Sequence, residues 1–153
     1  MKRAIVLARD NGYMEKLEVT IKSIVATNSQ IIFYVINDNL PQEWFWLMGR
    51  RLESVQSQIR NIKISSDQIK GYSLPMDHLS YATFYRYFIA DVVTEDRALY
   101  LDSDIVVTGD LTPLFEEDIE NHALAAVTDG IDASKFNAGV LLVNTVLWRE
   151  EKA

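Results

Sequence analysis

No cysteine occurs among the 153 residues, which removes disulfides and zinc–thiolate sites and fits a reducing, cytoplasmic setting. The chain also lacks any run of 18 or more apolar residues, so membrane association is not encoded in this portion. Met1-Lys2-Arg3 leads straight into a short strand-like segment rather than into the apolar stretch of an export signal, the pattern of a soluble, unexported protein. Basic residues form no block. Arg50-Arg51 is their densest spot, and 15 lysines and arginines against 22 acids leave a net charge of −7, which excludes a nucleic-acid coat. An acidic protein that handles an anionic ligand must neutralise it locally, and a metal ion is one means of doing so. No phosphate-cradling glycine motif, internal repeat or low-complexity linker is present.

What is present suffices for one domain over residues 1–153: the length suits a single core, and 48% hydrophobic residues can fill it. Ala4 to Ala8 reads as a buried strand, Arg9-Asp10-Asn11-Gly12 as a tight turn, and Tyr13 to Ala26 as a helix with Met14, Leu17, Ile21 and Ile24 on one face. Ile31 to Ile36 reads as a second strand. A helix opened by Pro41 follows, with an apolar stripe at Trp44, Met48, Leu52 and Val55. The three tryptophans are read as core. Ile59 to Ile64 is a third strand, residues 65 to 79 a loop, and Leu79 to Val93 a helix. A turn and short helix around 109–114, a strand at Ala123 to Val127, and a helix from Thr145 to Lys152 complete the pattern. Strands alternating with helices predict an α/β fold with a mostly parallel central sheet.

The informative stretch is 98–107. Ala98 to Leu101 is apolar as in a strand buried on both faces, and it runs into Asp102-Ser103-Asp104. If the chain stays extended, Asp102 and Asp104 share one side and Ser103 takes the other. Two carboxylates in one small volume repel unless a cation or strong donors lie beside them, and oxygen-only ligands suit Mg²⁺ or Mn²⁺. A solvated turn is the plain alternative.

Other residues gather around this stretch. Ligands of β-α units collect beyond the carboxyl ends of strands, which places Asp10, Asn11 and Tyr13 where a small molecule docks; Asp, Asn and Gly are also ordinary turn formers. Arg86 stands four residues from both Ala82 and Ala90, on a helix face of small residues, and suits either a bound anion or a sheet-end carboxylate. In Phe136 to Asn144 a polar start passes into an apolar run, with Asn137 able to donate and accept and Gly139 permitting close backbone approach. His78 reads as a surface or packing residue.

Four motifs in one order resemble the family 8 glycosyltransferases, the group of bacterial lipopolysaccharide galactosyl- and glucosyltransferases and glycogenin. They are Ile-Val-Leu-Ala-Arg-Asp-Asn-Gly-Tyr at 5–13, Thr-Phe-Tyr-Arg at 83–86, Leu-Tyr-Leu-Asp-Ser-Asp at 99–104, and Phe-Asn-Ala-Gly-Val at 136–140. The resemblance implies a GT-A type fold that binds a UDP-sugar and Mn²⁺ (or Mg²⁺) and transfers a hexose to a sugar or glycan acceptor with retention at the anomeric carbon. It implies Asp102 and Asp104 as metal ligands (the DxD motif) and Ser103 facing the ribose. Ala8, Asp10 and Tyr13 would hold uracil, Arg86 would lie by the donor sugar and phosphates, and Asn137 and Ala138 would line the sugar pocket.

Two positions depart from the family pattern. Asn11-Gly12 stands where a second acid and an asparagine are frequent. The family's third metal ligand is a histidine in a carboxyl-terminal portion, which neither His78 nor His122 matches, so the sequence reads as the amino-terminal part of a transferase. A non-catalytic UDP-sugar-binding fragment or assembly module, and a metal-dependent phosphotransferase, are the rival readings.

Overall fold

The computed structural model describes residues 2–9, 14–64, 88–128, 130–132 and 134–152. The expected loop at 65–79 with His78, most of the expected helix at 79–93 with Arg86, and the turn residues Asp10, Asn11, Gly12 and Tyr13 lie outside them.

Six strands form one mixed sheet. They are β1 (Arg3–Ala8), β2 (Ile31–Asn37), β3 (Gln58–Lys63), β4 (Arg97–Leu101), β5 (Leu124–Thr128) and β6 (Phe136–Asn144), in the order β3-β2-β1-β4-β6-β5. The helices are α1 (Met14–Thr27), α2 (Gln42–Leu52), α3 (Ile89–Val92), α4 (Thr112–Phe115) and α5 (Thr145–Lys152), with a 3₁₀ turn at Glu53–Val55. The pairs β1–β2, β2–β3 and β1–β4 are parallel, whereas β6 runs antiparallel to both β4 and β5.

Strand alternation builds two cores, one on each face. Ile5 and Leu7 of β1, Phe33 and Val35 of β2, and Leu99 and Leu101 of β4 face α1, α2 and α4. The intervening Ala4, Val6 and Ala8, Ile32 and Tyr34, and Ala98 and Tyr100 face Ile89 of α3 and Trp148 of α5. A strand flanked on both sides cannot alternate apolar with polar residues, which is why β1, β2 and β4 read as unbroken apolar runs. Trp44 fills the first core and donates its indole N–H to Glu18 (2.7 Å), but Trp46 is 63% exposed. Its assignment to the core fails because the apolar stripe of α2 runs through Trp44, Met48 and Leu52, and a residue two positions on from Trp44 falls on another side of the helix.

The order of strands creates a switch point. Two β-α-β steps lay β2 and β3 on one side of β1, and β4 then pairs on its other side. The carboxyl ends of β1 and β4 therefore lie side by side at the switch point, and the crevice at such a point is the usual ligand position in open α/β sheets.

The segment after β4 departs from the extended reading of 98–107. The strand stops at Leu101, Ser103 and Asp104 form a turn, and residues 105–108 have no regular structure. Side chains of α1 hold this segment instead of a ladder. Thr20 donates its hydroxyl to the Ile105 carbonyl (2.8 Å), Ser23 accepts from the Val107 amide (2.9 Å), and Thr27 donates to the Gly109 carbonyl (2.9 Å). Ile105 and Val107 pack on the first core, so their apolar character reflects helix contact and not strand continuation.

Two outcomes follow. Thr20 is fully buried; Thr20→Val keeps its shape but strands the Ile105 carbonyl, and urea denaturation is expected to show a loss of about 1–3 kcal/mol. Tyr34 donates its phenol to Glu95 (2.8 and 3.1 Å), and burial, with the Glu95 charge, raises its pKa above the usual 10. Below the unfolded tyrosine pKa of about 10 this group's stabilisation is complete; it is lost as pH rises through the folded value, since the unfolded chain gives up the proton first. Denaturation midpoints measured from pH 8 to 11 should fall at the alkaline end, and less steeply in Tyr34→Phe.

Candidate functional site

Three strand ends converge at the crevice. From β1 comes Ala8, buried, whose carbonyl accepts the hydroxyl of Ser103 at 3.2 Å. Ser103 is itself buried at 1% exposure, so its hydroxyl ties the end of β4 to the end of β1. This bond turns Ser103 inward and leaves Asp104 outward and exposed on the same turn. The two acids thus differ in setting: Asp102 is half-buried, and Asp104 is in solvent.

Asp102 extends the β4–β6 ladder by one step, its amide donating to the Gly139 carbonyl at 2.9 Å. In an antiparallel pair, opposed residues project to the same face, so the Asp102 carboxylate lies over Gly139. A Cβ at position 139 would stand 2.6 Å from Asp102 Oδ2 and 3.3 Å from Cγ. No side chain can occupy that space while the carboxylate stays where it is. The same imagined Cβ would stand 3.0 Å from Asn137 Oδ1, which accepts the Gly139 amide at 2.8 Å. That bond orients the Asn137 carboxamide, whose NH₂ and second oxygen lone pair remain as groups it can offer a ligand. Asn137 is exposed and Ala138 half-buried.

Local strand chemistry explains this arrangement. β5 pairs with β6 as Ala126–Leu141 and then as Val127–Asn137, so residues 138–140 fall between two registers as a bulge. Bulges bend a strand and re-aim its side chains, and a glycine inside a strand-like run is their signature. Here the bulge presents Asn137 and Gly139 to the end of β4. On the opposite side of the carboxylate, the Tyr100 hydroxyl donates to Asp102 Oδ1 at 3.0 Å. Tyr100 had no functional role in the sequence reading; its i, i+2 spacing from Asp102 is the signal that places both on one face.

Among the sequence-derived candidates, Ala8, Asp102, Ser103, Asp104, Asn137 and Ala138 are brought to this one end of the sheet. Asp10, Tyr13 and Arg86 lie outside the described residues. His122 sits at the other end, in the turn before β5, where the Ala123 carbonyl accepts the Asn144 amide and Asn144 pairs with Arg97 at the start of β4. Among the described residues, no group of three or more His, Cys, Asp or Glu side chains forms a complete metal cage. The Asp102 carboxylate over the Gly139 notch and the Asp104 carboxylate exposed on the adjoining turn nonetheless offer hard oxygen donors of the kind that suit Mg²⁺ or Mn²⁺.

A cavity of about 520 Å³ adjoins Asp104, lined by Glu15, Lys16, Val19 and Thr20 of α1 with Ile105 and Val106. Among the described residues, no helix is long and apolar enough to cross a membrane.

The chain is similar in sequence and fold to known glycosyltransferases. The chain is 50% identical to the glycosyltransferase GlyB of Streptococcus pneumoniae serotype 4 over 154 residues, covering 99% of this chain and 38% of GlyB. The crystal structure of the glycosyltransferase GlyE of S. pneumoniae TIGR4 matches with a TM-score of 0.86 at 40% identity, over 99% of this chain and 36% of GlyE. The galactosyltransferase LgtC, whose structure was determined with donor and acceptor sugar analogues, matches with a TM-score of 0.82 at 30% identity, over 96% of this chain and 59% of LgtC. The chain therefore spans well under half the length of GlyB and GlyE. These neighbours have the GT-A type fold, and the family model for glycosyl transferase family 8 matches residues 4–153. With nearly the whole sequence matched, the chain belongs to glycosyl transferase family 8.

Proposed function

We propose that this chain forms the donor-binding part of a metal-dependent glycosyltransferase that moves a hexose from a UDP-sugar to a sugar or glycan acceptor with retention of anomeric configuration. The observation that carries this reading is the Asp102 carboxylate, held over Gly139 at the β1–β4 switch point with Asp104 exposed on the adjoining turn. Open α/β sheets generally take their ligands at such a crevice, and Asp102 and Asp104 bring carboxylate oxygens to that end of the sheet.

Asp102 and Asp104 would hold Mn²⁺ or Mg²⁺. A divalent cation there neutralises a diphosphate and stabilises the charge that develops on it as leaving group. The chain's own residues supply the geometry. Ser103, bonded to Ala8, fixes the turn that sets the two carboxylates apart in depth. Asn137 and Ala138, lifted by the β6 bulge, form the wall next to the carboxylates, where the donor sugar fits. By family resemblance, Ala8, Asp10 and Tyr13 would hold the uracil and Arg86 would lie by the donor sugar and phosphates; the Ser103 hydroxyl, expected to face the ribose, is bonded to the Ala8 carbonyl. The cysteine-free composition suits a reducing, cytoplasmic setting for this chemistry.

LgtC, the relative solved with donor and acceptor analogues, is a galactosyltransferase. That supports a hexose donor and a sugar acceptor for this chain. Because the chain spans 38% of GlyB, a non-catalytic donor-binding module is the second reading. Incubating the chain with a panel of UDP-sugars separates the two: release of UDP favours the transferase, and binding without release favours the module.

Calorimetry with UDP should show binding that requires Mn²⁺, disappears with EDTA, and loses its metal dependence in Asp104→Ala. Metal-independent binding unchanged by the substitution would sink the clamp. Gly139→Ala places a methyl 2.6 Å from Asp102 Oδ2 and must displace it. It is expected to weaken Mn²⁺-dependent UDP binding by about tenfold or more, as when a ligand's support is removed, while circular dichroism shows the chain still folded.

A further inference from the structure

Tyr100 lies in the second core at 3% exposure, in a strand whose neighbours Leu99 and Leu101 are wholly apolar. Packing alone is met by a ring without a hydroxyl, and a buried phenol that lacks a partner is costly. Here the phenol is directed at the carboxylate two residues on, donating to Asp102 Oδ1 at 3.0 Å. The Asp102 backbone is pinned separately by its amide bond to Gly139. The other carboxylate oxygen, Oδ2, is the one that lies over the notch at Gly139.

From these three constraints we infer that Tyr100 is a positioning residue: its phenol locks the Asp102 side chain so that Oδ2 stands presented over the Gly139 notch before any ligand arrives. The inference rests on the reading of Asp102 and Asp104 as a cation site and goes beyond it, since it assigns the orientation of the site to a residue of the core. A carboxylate on a pinned backbone but with free side-chain torsions loses that freedom on ligation, and a preorganised one has already lost it. The donor's chemistry also fits. A phenol is neutral, so it holds one oxygen without bringing a positive charge that would compete with a cation, as lysine or arginine in its place would.

The plain alternative is that Asp102 exists to satisfy a buried Tyr100 hydroxyl, in which case the bond matters to stability and not to the ion. Mn²⁺ titration of the 153-residue chain in the presence of UDP, followed by the electron paramagnetic resonance of free Mn²⁺, separates the two. Tyr100→Phe is expected to weaken Mn²⁺ binding by about ten- to a hundredfold, the usual effect of losing an outer-shell partner. Its thermal midpoint should stay near that of the parent chain. On an Asp102→Asn background the same substitution should change Mn²⁺ binding less than it does in the parent, because the proposed effect of Tyr100 on the ion passes through the Asp102 carboxylate. If Tyr100→Phe binds Mn²⁺ like the parent while Asp104→Ala does not, the positioning role is overturned and the cation site stands. If the parent and Asp104→Ala behave alike, the cation site itself fails and the inference with it. Should Tyr100→Phe not fold, Tyr100→Leu, which also fills the space without a hydroxyl, is read by the same criteria.

Discussion

Parallel pairing of β1 with β4 is the constraint on which the site depends. It lines up Ala4, Ile5 and Val6 with Ala98, Leu99 and Tyr100, and so delivers two strand ends to the same edge of the sheet. At that edge the Ser103 hydroxyl reaches the Ala8 carbonyl, and this buried bond ties the end of β4 to the end of β1. Ser103 goes in, Asp104 goes out, and Asp102 stays on the strand line. The β1 and β4 side chains that bury on both faces hold this register, since a slip by one residue would exchange the two cores.

The second determinant comes from β6. Its antiparallel run brings Gly139 opposite Asp102, and its bulge against β5 lets Asn137 fold back onto the Gly139 amide. The site is thus built at the meeting of parallel and antiparallel pairing. The parallel part supplies the crevice, and the antiparallel part supplies the wall. Asp102, with Tyr100 on one oxygen and the glycine notch under the other, is the point where both meet.

Much of this was legible in the amino-acid sequence. β1, β2 and β4 stand out because burial on both faces forces unbroken apolar runs, and α1 and α2 because burial on one face forces a three-to-four-residue stripe. The Asp102 and Asp104 carboxylates were conspicuous for the converse reason, as charge at the end of a run that tolerates none. What failed was continuity. Ile105 and Val107 look like strand because helix packing and sheet packing both select β-branched residues, and only the Thr20 and Ser23 side chains on a distant helix divert the backbone. Ser103 was read as facing a ligand, since a serine's preference between a ligand and a buried carbonyl is not written in its neighbours. The Tyr100 bond needs side-chain torsions to be seen, although its spacing from Asp102 was in plain view. The exposed Trp46 shows that aromatic composition says how much can be buried and the helical phase says which residue is.

The sequence distances spanned by the site have a kinetic side. The Ser103–Ala8 bond joins residues 95 apart, and Asp102 waits for Gly139 in β6, the last strand of the chain. Contacts this far apart close late, because the loop between them must be immobilised before they are rewarded. A growing chain therefore holds its two carboxylates long before it holds them in place, and the cation affinity proposed for them would emerge only once β6 has docked. Metal capture by this domain would then report that the sheet is finished.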